Sequence, residues 1–559
     1  MPGLLGGVVL LALGCTESGA PSPPTPRFYG SSASEAVTAT PARRLRRLSS
    51  REYDNVVRDL LGDASAPAER FVVDVYQNGY DNGSAALAVQ SDQVVDYQSA
   101  AEALAARAVS SRLPQVLGGC DVATQGEAAC LNGLLSTFAP RAFRRPLTDS
   151  ERQRLQGVFQ QEEAAGSDFG RAVQTVVEVI LQSPQFLYRE ELGPAGATGP
   201  SGAQVALTAY EAASELSFLL TGSMPDDPLW AAVQAGRFET RDDYDRQAVR
   251  LLTTDGARQT LRAFLHQWMT TGRLATLAKD ARFYPAFDQA MAASMSAELD
   301  RFYDDVMWSG TGSLRELFTS SRSYVDATLA NLYALAPVVS LQPVAPGRLG
   351  RAASGALVPV DLDPTVRPGI LTRAGFLAVH SDADSSGPVA RGVFVLQALL
   401  CSPPPPPPAR VPPAPAASDP AVQALTTRER FAKHVSDPLC AGCHTQIDGI
   451  GFGFEEFDGV GAFRRLENGQ PVDSSGSIEG IPEIGGGFQG AAELTARLAS
   501  SRVLAGCFAR QAYRYAMGAV ETSSADVAAA SAASTPDANV TAVLRSIVDD
   551  PIFVNRTFE

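Results

Sequence analysis

At 559 residues the chain is several times the about 100 to 200 residues of an ordinary domain, and 45% apolar with 19% charged residues is a globular mixture that excludes disorder over most of its length. Acidic residues outnumber basic ones, 61 to 46, for a net charge of −15. That balance repels a phosphate backbone and gives no electrostatic reason to expect nucleic acid as a partner.

Residues 1–14 form one apolar run, too short to span a bilayer, that ends in Ala12-Leu13-Gly14 before Cys15. Small residues there read as a signal peptide closing on a lipobox, with Cys15 becoming the diacylated N-terminus. The alternative is an uncleaved apolar start with a chance cysteine. Lipid on Cys15 and the Ser/Pro-rich tether at 18–26 would hold the protein at a membrane surface rather than through it, as a periplasmic or outer-membrane lipoprotein of the cell envelope. No later run is long and apolar enough to be a transmembrane helix.

From residue 27 onward helix signals dominate. Four starts place Ser or Thr three residues before Glu, the pattern that caps exposed backbone N–H groups reciprocally: Ser49/Glu52, Thr148/Glu151, Thr208/Glu211 and Thr426/Glu429. Apolar spacing near 3.6 follows each, as in Tyr53, Val56, Val57, Leu60 and Leu61. The fold class is therefore mostly α, as several consecutive helical domains. Composition shifts divide the chain into 1–26 (leader and tether), 27–113, 114–192, 203–335, 336–401, a polyproline linker at 402–420, and 421–559. The linker holds six consecutive prolines, Pro403 to Pro408, which favour a polyproline II rod of about 3.1 Å per residue.

A repeat runs through this order. Phe138-Ala139-x-x-Ala142-Phe143-Arg144 recurs 370 residues later as Phe508-Ala509-x-x-Ala512-Tyr513-Arg514, and each copy leads on to Pro-x-Phe-x-x-Arg, at Pro184, Phe186, Arg189 and at Pro551, Phe553, Arg556. One helical cassette used twice explains the pattern, and chance similarity is the competing explanation.

The seven cysteines divide by chemistry in an oxidising compartment. Cys15 takes lipid. Cys120 and Cys130 suit a short loop disulfide, and Cys401 with Cys507 are left, by elimination, as a long-range bridge. Cys440-Ala441-Gly442-Cys443-His444 is the strongest signal in the sequence. Two thiols so spaced can form thioethers with the vinyl groups of one covalent haem c, and the adjacent imidazole binds its iron. Zinc would need further ligands nearby, and a thioredoxin-like dithiol would need a βαβ context that is missing.

For the sixth iron position the candidates are His434, on the helix entering the motif, and Met517, 73 residues after His444. His434 could instead bond locally, and Met517 aligns with Leu147 in the repeat, a core position. His266 and His380 are the other histidines. Beyond the motif, glycines alternate with Phe452, Phe454 and Phe457, which would let backbone approach a flat ring, or simply form a turn-rich core loop. Asp382-x-Asp384-x-Ser386-Gly387 resembles the start of a calcium loop but has Val393 where the twelfth position needs Glu, so a capped polar turn is the plainer reading.

Successive motifs also carry a family resemblance. Arg47-Leu48-Ser49-x-x-Glu52-Tyr53, Arg58-Asp59-Leu60-Leu61-Gly62, Arg141-Ala142-Phe143-Arg144-Arg145-Pro146-Leu147-Thr148, Leu207-Thr208-x-Tyr210-Glu211, Tyr324-Val325-Asp326, Arg391-Gly392, and Arg428-Glu429-Arg430 with His434 follow one another in order. Together they resemble a multi-domain, secreted, cytochrome c-associated bacterial family of unknown function, of the planctomycete and myxobacterial type, that ends in a CxxCH haem module. The resemblance implies helical domains before a haem module and favours His434 over Met517 as the haem-contacting residue. The chain departs from the family pattern at Gly449 and Ala519, both near the implied pocket.

Three functions are compatible with these residues: electron transfer with a redox partner protein at the cell envelope, a haem-dependent oxidase or peroxidase on an extracytoplasmic substrate, and a binding protein with structural haem. No Ser/His/Asp or metal-cluster pattern precedes the motif, so catalytic residues are not assigned.

Overall fold

The computed structural model describes residues 40–335, 357–406, 419, 422–436 and 438–558. The leader, Cys15, its tether and residues 407–418 of the proline-rich linker lie outside them. Among the described residues there are 23 α-helices against five two-stranded sheets, so the fold is mostly α. The four reciprocal caps read from the sequence all form: Ser49/Glu52, Thr148/Glu151 and Thr208/Glu211 each exchange two backbone-to-side-chain bonds, and Thr426 does so with Glu429 at 2.7 and 3.3 Å.

The first half runs from β1 (Arg44–Arg47) into the capped α1 (Ser50–Leu61), the long α2 (Ser91–Val116) and α3 (Phe169–Gln182), then returns through Pro184 to β2 (Tyr188–Glu191). β1 and β2 pair antiparallel, Arg44 opposite Glu191. The second half begins with the same plan, β3 (Gln204–Ala206) leading into the capped α4 (Ala209–Thr221). It continues through α5 (Asp255–Trp268), α6 (Gln289–Asp304), α7 (Pro388–Phe394), α8 (Thr427–Ser436) and α9 (Pro438–Gly451). A hairpin of β4 (Ser475–Ile478) and β5 (Gly486–Gln489) follows, then α10 (Arg502–Met517) and α11 (Val540–Val548), which returns through Pro551 to β6 (Asn555–Thr557). β6 pairs antiparallel with β3. In both halves the residue before the capping Ser or Thr donates its N–H into the returning segment: Leu48 to the Leu187 carbonyl and Leu207 to the Val554 carbonyl, each at 2.8 Å. The Pro-x-Phe-x-x-Arg part of the repeat thus closes each half in the same way.

Apolar packing divides the molecule into two cores. One gathers Leu48, Tyr53, Leu104, Leu134, Val176 and Phe186 from the first half; the other joins Leu216, Phe264, Phe302, Phe376, Ile450 and Phe508 from the second. Segments that composition separates as 203–335, 336–401 and 421–559 contribute residues to that second core, because the helices on either side of the linker keep apolar faces to bury. Cys401 and Cys507 are disulfide-bonded across the linker, with Cα atoms 5.4 Å apart, and Cys120 is bonded to Cys130. No helix among the described residues is long and apolar enough to cross a membrane.

Candidate functional site

Helix α9 carries Cys440, Cys443 and His444 on one face, since residues three and four apart on a helix are neighbours. All three are partly exposed. The other four described cysteines are consumed in disulfides, whereas Cys440 and Cys443 remain thiols. One turn on, Asp448 is completely buried and its Oδ1 lies 3.0 Å from His444 Nδ1. An aspartate oxygen is a natural acceptor, so this contact keeps the proton on Nδ1 and makes Nε2 the ring nitrogen that carries the lone pair.

Close packing fixes α9 in place. A Cβ on Gly451 would lie 2.0 Å from the Pro388 carbonyl oxygen, and one on Gly392 of α7 would lie 2.0 Å from the Ile447 carbonyl oxygen, so α7 and α9 cross with backbones in contact. On another side, a Cβ on Gly449 would meet the Ser477 carbonyl oxygen at 2.9 Å. Arg391, fully buried, ties the end of the segment to α7: it donates to the carbonyls of Phe454 at 3.0 Å, Phe457 at 2.9 Å and Asp458 at 2.8 Å. Burial pulls its guanidinium down to about 10, so it keeps its charge at neutral pH. Glu455, also buried, accepts from Ser386 Oγ and from Arg464, and burial raises its carboxyl pKa.

These contacts favour the core-loop reading of the glycine and phenylalanine run. Phe452, Phe454 and Phe457 are buried in the protein core, and Gly451, Gly453, Gly459 and Gly461 face Pro388, Phe488, Tyr284 and Ala374. The glycines admit neighbouring backbone and side chains rather than a flat ring. The calcium-like stretch forms a polar turn instead, Ser385 donating to Asp382 and Ser386 to Glu455, and among the described residues no His/Cys/Asp/Glu group is arranged to hold a metal ion.

Of the sixth-ligand candidates, His434 lies on α8, directly before the motif; its side chain is outside the described residues. Met517 is buried at the end of α10, where its carbonyl accepts from Arg44 and the next residue, Gly518, backs onto Asn82 and Arg46 of the first half. His266 is held by Asp300 at 2.8 Å and Thr271 at 2.7 Å. His380 contacts the Met269 carbonyl at 3.0 Å between the rings of Phe376 and Phe394, and burial pushes it down to about 3, so it stays neutral. The sequence reading missed Asp448 as a site residue, although its position four residues after His444 on a helix was the available signal. It also missed a cleft of about 390 Å³ between α1 and α5, lined by Arg51, Asp81, His266 and Asp300 among others. Those four are bonded in pairs, Arg51 to Asp81 and His266 to Asp300, so the cleft reads as a seam between the two halves.

With this geometry established, four family models match the chain in order, each described as a protein of unknown function: PSD3 (DUF1587) over 46–110, PSD5 (DUF1595) over 130–191, PSD4 (DUF1592) over 207–335 and PSCyt3 (DUF1588) over 367–467. The name of the last points to cytochromes, and its match spans α7, the proline-rich linker and the whole Cys440 to His444 motif. No curated protein and no solved structure matches the chain.

Proposed function

We propose that the protein is an exported, lipid-anchored electron carrier with one covalent haem c on Cys440 and Cys443, His444 as the proximal ligand, and a redox protein of the cell envelope as its partner. The observation that carries the reading is the state of α9: two thiols one turn apart beside a histidine whose Nδ1 is held by Asp448, in a chain whose other described cysteines are disulfide-bonded. Those residues suit the group. Each thiol would add across one vinyl group, its sulfur forming the C–S bond and its hydrogen going to the other vinyl carbon, so attachment would consume no oxidant. His444 Nε2 would supply a neutral imidazole to the iron. Bound haem would supply a one-electron ferric/ferrous couple. Close packing at Gly392 and Gly451 holds the attachment helix rigidly against the rest of the domain. Cys15 would place this couple at a membrane surface.

A haem-dependent oxidase or peroxidase is the second reading. It is favoured by the burial of Met517 in the core and by the hydrogen bonds that hold the His266 and His380 rings elsewhere in the protein. The ferrous absorption spectrum with and without carbon monoxide separates the two. A c-type spectrum unchanged by the gas supports the carrier, with His434 the candidate for the sixth position, and a clear shift supports the enzyme.

A further inference from the structure

We infer that Asp448 is a positioning residue that sets the donor strength of His444 and so biases the attached iron toward its ferric state; this rests on the haem proposed above. The bond between Asp448 Oδ1 and His444 Nδ1, at 3.0 Å, joins two residues four apart on α9, and the aspartate is completely buried. Nothing in helix energetics asks for an acidic side chain here. Asp448 lies in the last turn of Pro438–Gly451, where the exposed carbonyls of a helix end disfavour negative charge, and burial adds a desolvation penalty. The histidine precedes the acid along the helix, so the pair also lacks the orientation that complements the dipole. What the position does provide is a fixed acceptor for Nδ1. Gly449, the next residue, sits against Ser477 too closely for a Cβ, and Asp448 is thereby held on a turn that has no room to shift.

A carboxylate bonded to the distal nitrogen of a metal-bound imidazole raises the basicity of the ligating nitrogen and fixes the ring plane. Stronger donation from Nε2 stabilises ferric over ferrous iron, which lowers the reduction potential. With the carboxylate wholly buried and the imidazole 19% exposed, solvent screens the pair less than it would in water, and the effect is correspondingly larger. Asn at this position keeps an oxygen acceptor of the same size and removes the charge.

The test is a spectroelectrochemical titration of matured wild-type protein and of Asp448→Asn, with haem per chain measured on each. The expected result is an upward shift of the midpoint potential in Asp448→Asn at unchanged haem content. An unchanged potential with haem attached overturns the inference and leaves the proposed function standing. Wild-type protein with no covalent haem overturns both. Should Asp448→Asn fail to fold or to take haem, ferrous wild-type protein labelled with 15N-histidine decides, read on the imidazole whose carbon protons carry the haem ring-current shift. A downfield Nδ1–H that is slow to exchange into deuterium supports the bond to Asp448, and an Nδ1–H lost on dilution into deuterium overturns it.

Discussion

Arg556 Nε donates to Glu191 Oε2 at 2.5 Å across 365 residues of sequence, with both side chains wholly buried. Arg556 closes the second half of the molecule and Glu191 ends the strand that closes the first, so the pair joins the two copies of the repeat. Arg44 at 2.9 Å and Arg46 at 3.3 Å bond the same carboxylate, and Arg46 continues to Glu215 on α4 at 3.0 Å.

Removing Arg556 takes the shortest ion pair from a buried carboxylate that then keeps only Arg44 and Arg46. Arg556→Ala is expected to destabilise the fold by about 3 to 5 kcal/mol, and replacing Arg556 and Glu191 together by apolar residues to cost less than the sum of the single changes. Denaturant melts of the singles and the double measure both. Burial by itself would raise the Glu191 carboxyl pKa, but Arg44, Arg556 and Arg46 hold it well below the ordinary value. Its contribution is therefore complete above about pH 4.5, the unfolded value, and disappears only as pH falls through the lowered folded one.

His380 gives a pH dependence in a milder range. Its folded value, about 3, lies below the ordinary 6.5, so its neutral form stabilises the fold above pH 6.5 and the benefit declines as pH falls toward 3. Melts between pH 7 and about 5 are expected to show a loss that shrinks in His380→Gln, whose amide carries no titrating proton. An identical slope in the variant would contradict the assignment.

Gly451→Ala places a methyl 2.0 Å from a backbone oxygen of α7. Overpacking of this kind costs about 1 to 3 kcal/mol. The variant is expected to melt earlier and, because α9 carries the thiols, to mature with less haem. Gly157→Ala, in the helix Asp149–Ala164 of the first half and with open space at its Cβ, is the control expected to lose neither stability nor haem.

The two disulfides differ in the loop they close, with sequence separations of 106 and 10. In the chain-entropy picture, removing Cys401–Cys507 costs about 5 kcal/mol and removing Cys120–Cys130 about 3. Double Cys→Ala variants compared by thermal melting in oxidising buffer test the order. A larger loss for the short loop would show that local strain or unfolded-state structure dominates.

Local rules made the helices and the attachment motif legible: a cap needs only Ser49 and Glu52 three residues apart, and thiol spacing is contained in Cys440 to His444. The closing strands were half visible, as the repeated Pro-x-Phe-x-x-Arg. What the sequence did not reveal depends on residues distant in the chain. The glycine and phenylalanine run was open to two readings, a cradle for a ring or a turn-rich core loop, because glycine permits any close approach, and only the packing shows that Pro388, Phe488 and Tyr284 lie against it. Composition likewise marks where the linker runs but carries no information on whether Gly392 and Ile447 meet across it.

The central claim is most directly tested by denaturing intact-mass spectrometry and pyridine haemochrome on the full chain, matured in cells with a c-type haem system, beside the Cys440→Ser/Cys443→Ser variant. One haem per chain that survives denaturation in the wild type, and none in a variant that still folds, is the expected result. Wild-type protein of unmodified mass at this site, or haem retained covalently by the variant, would contradict it.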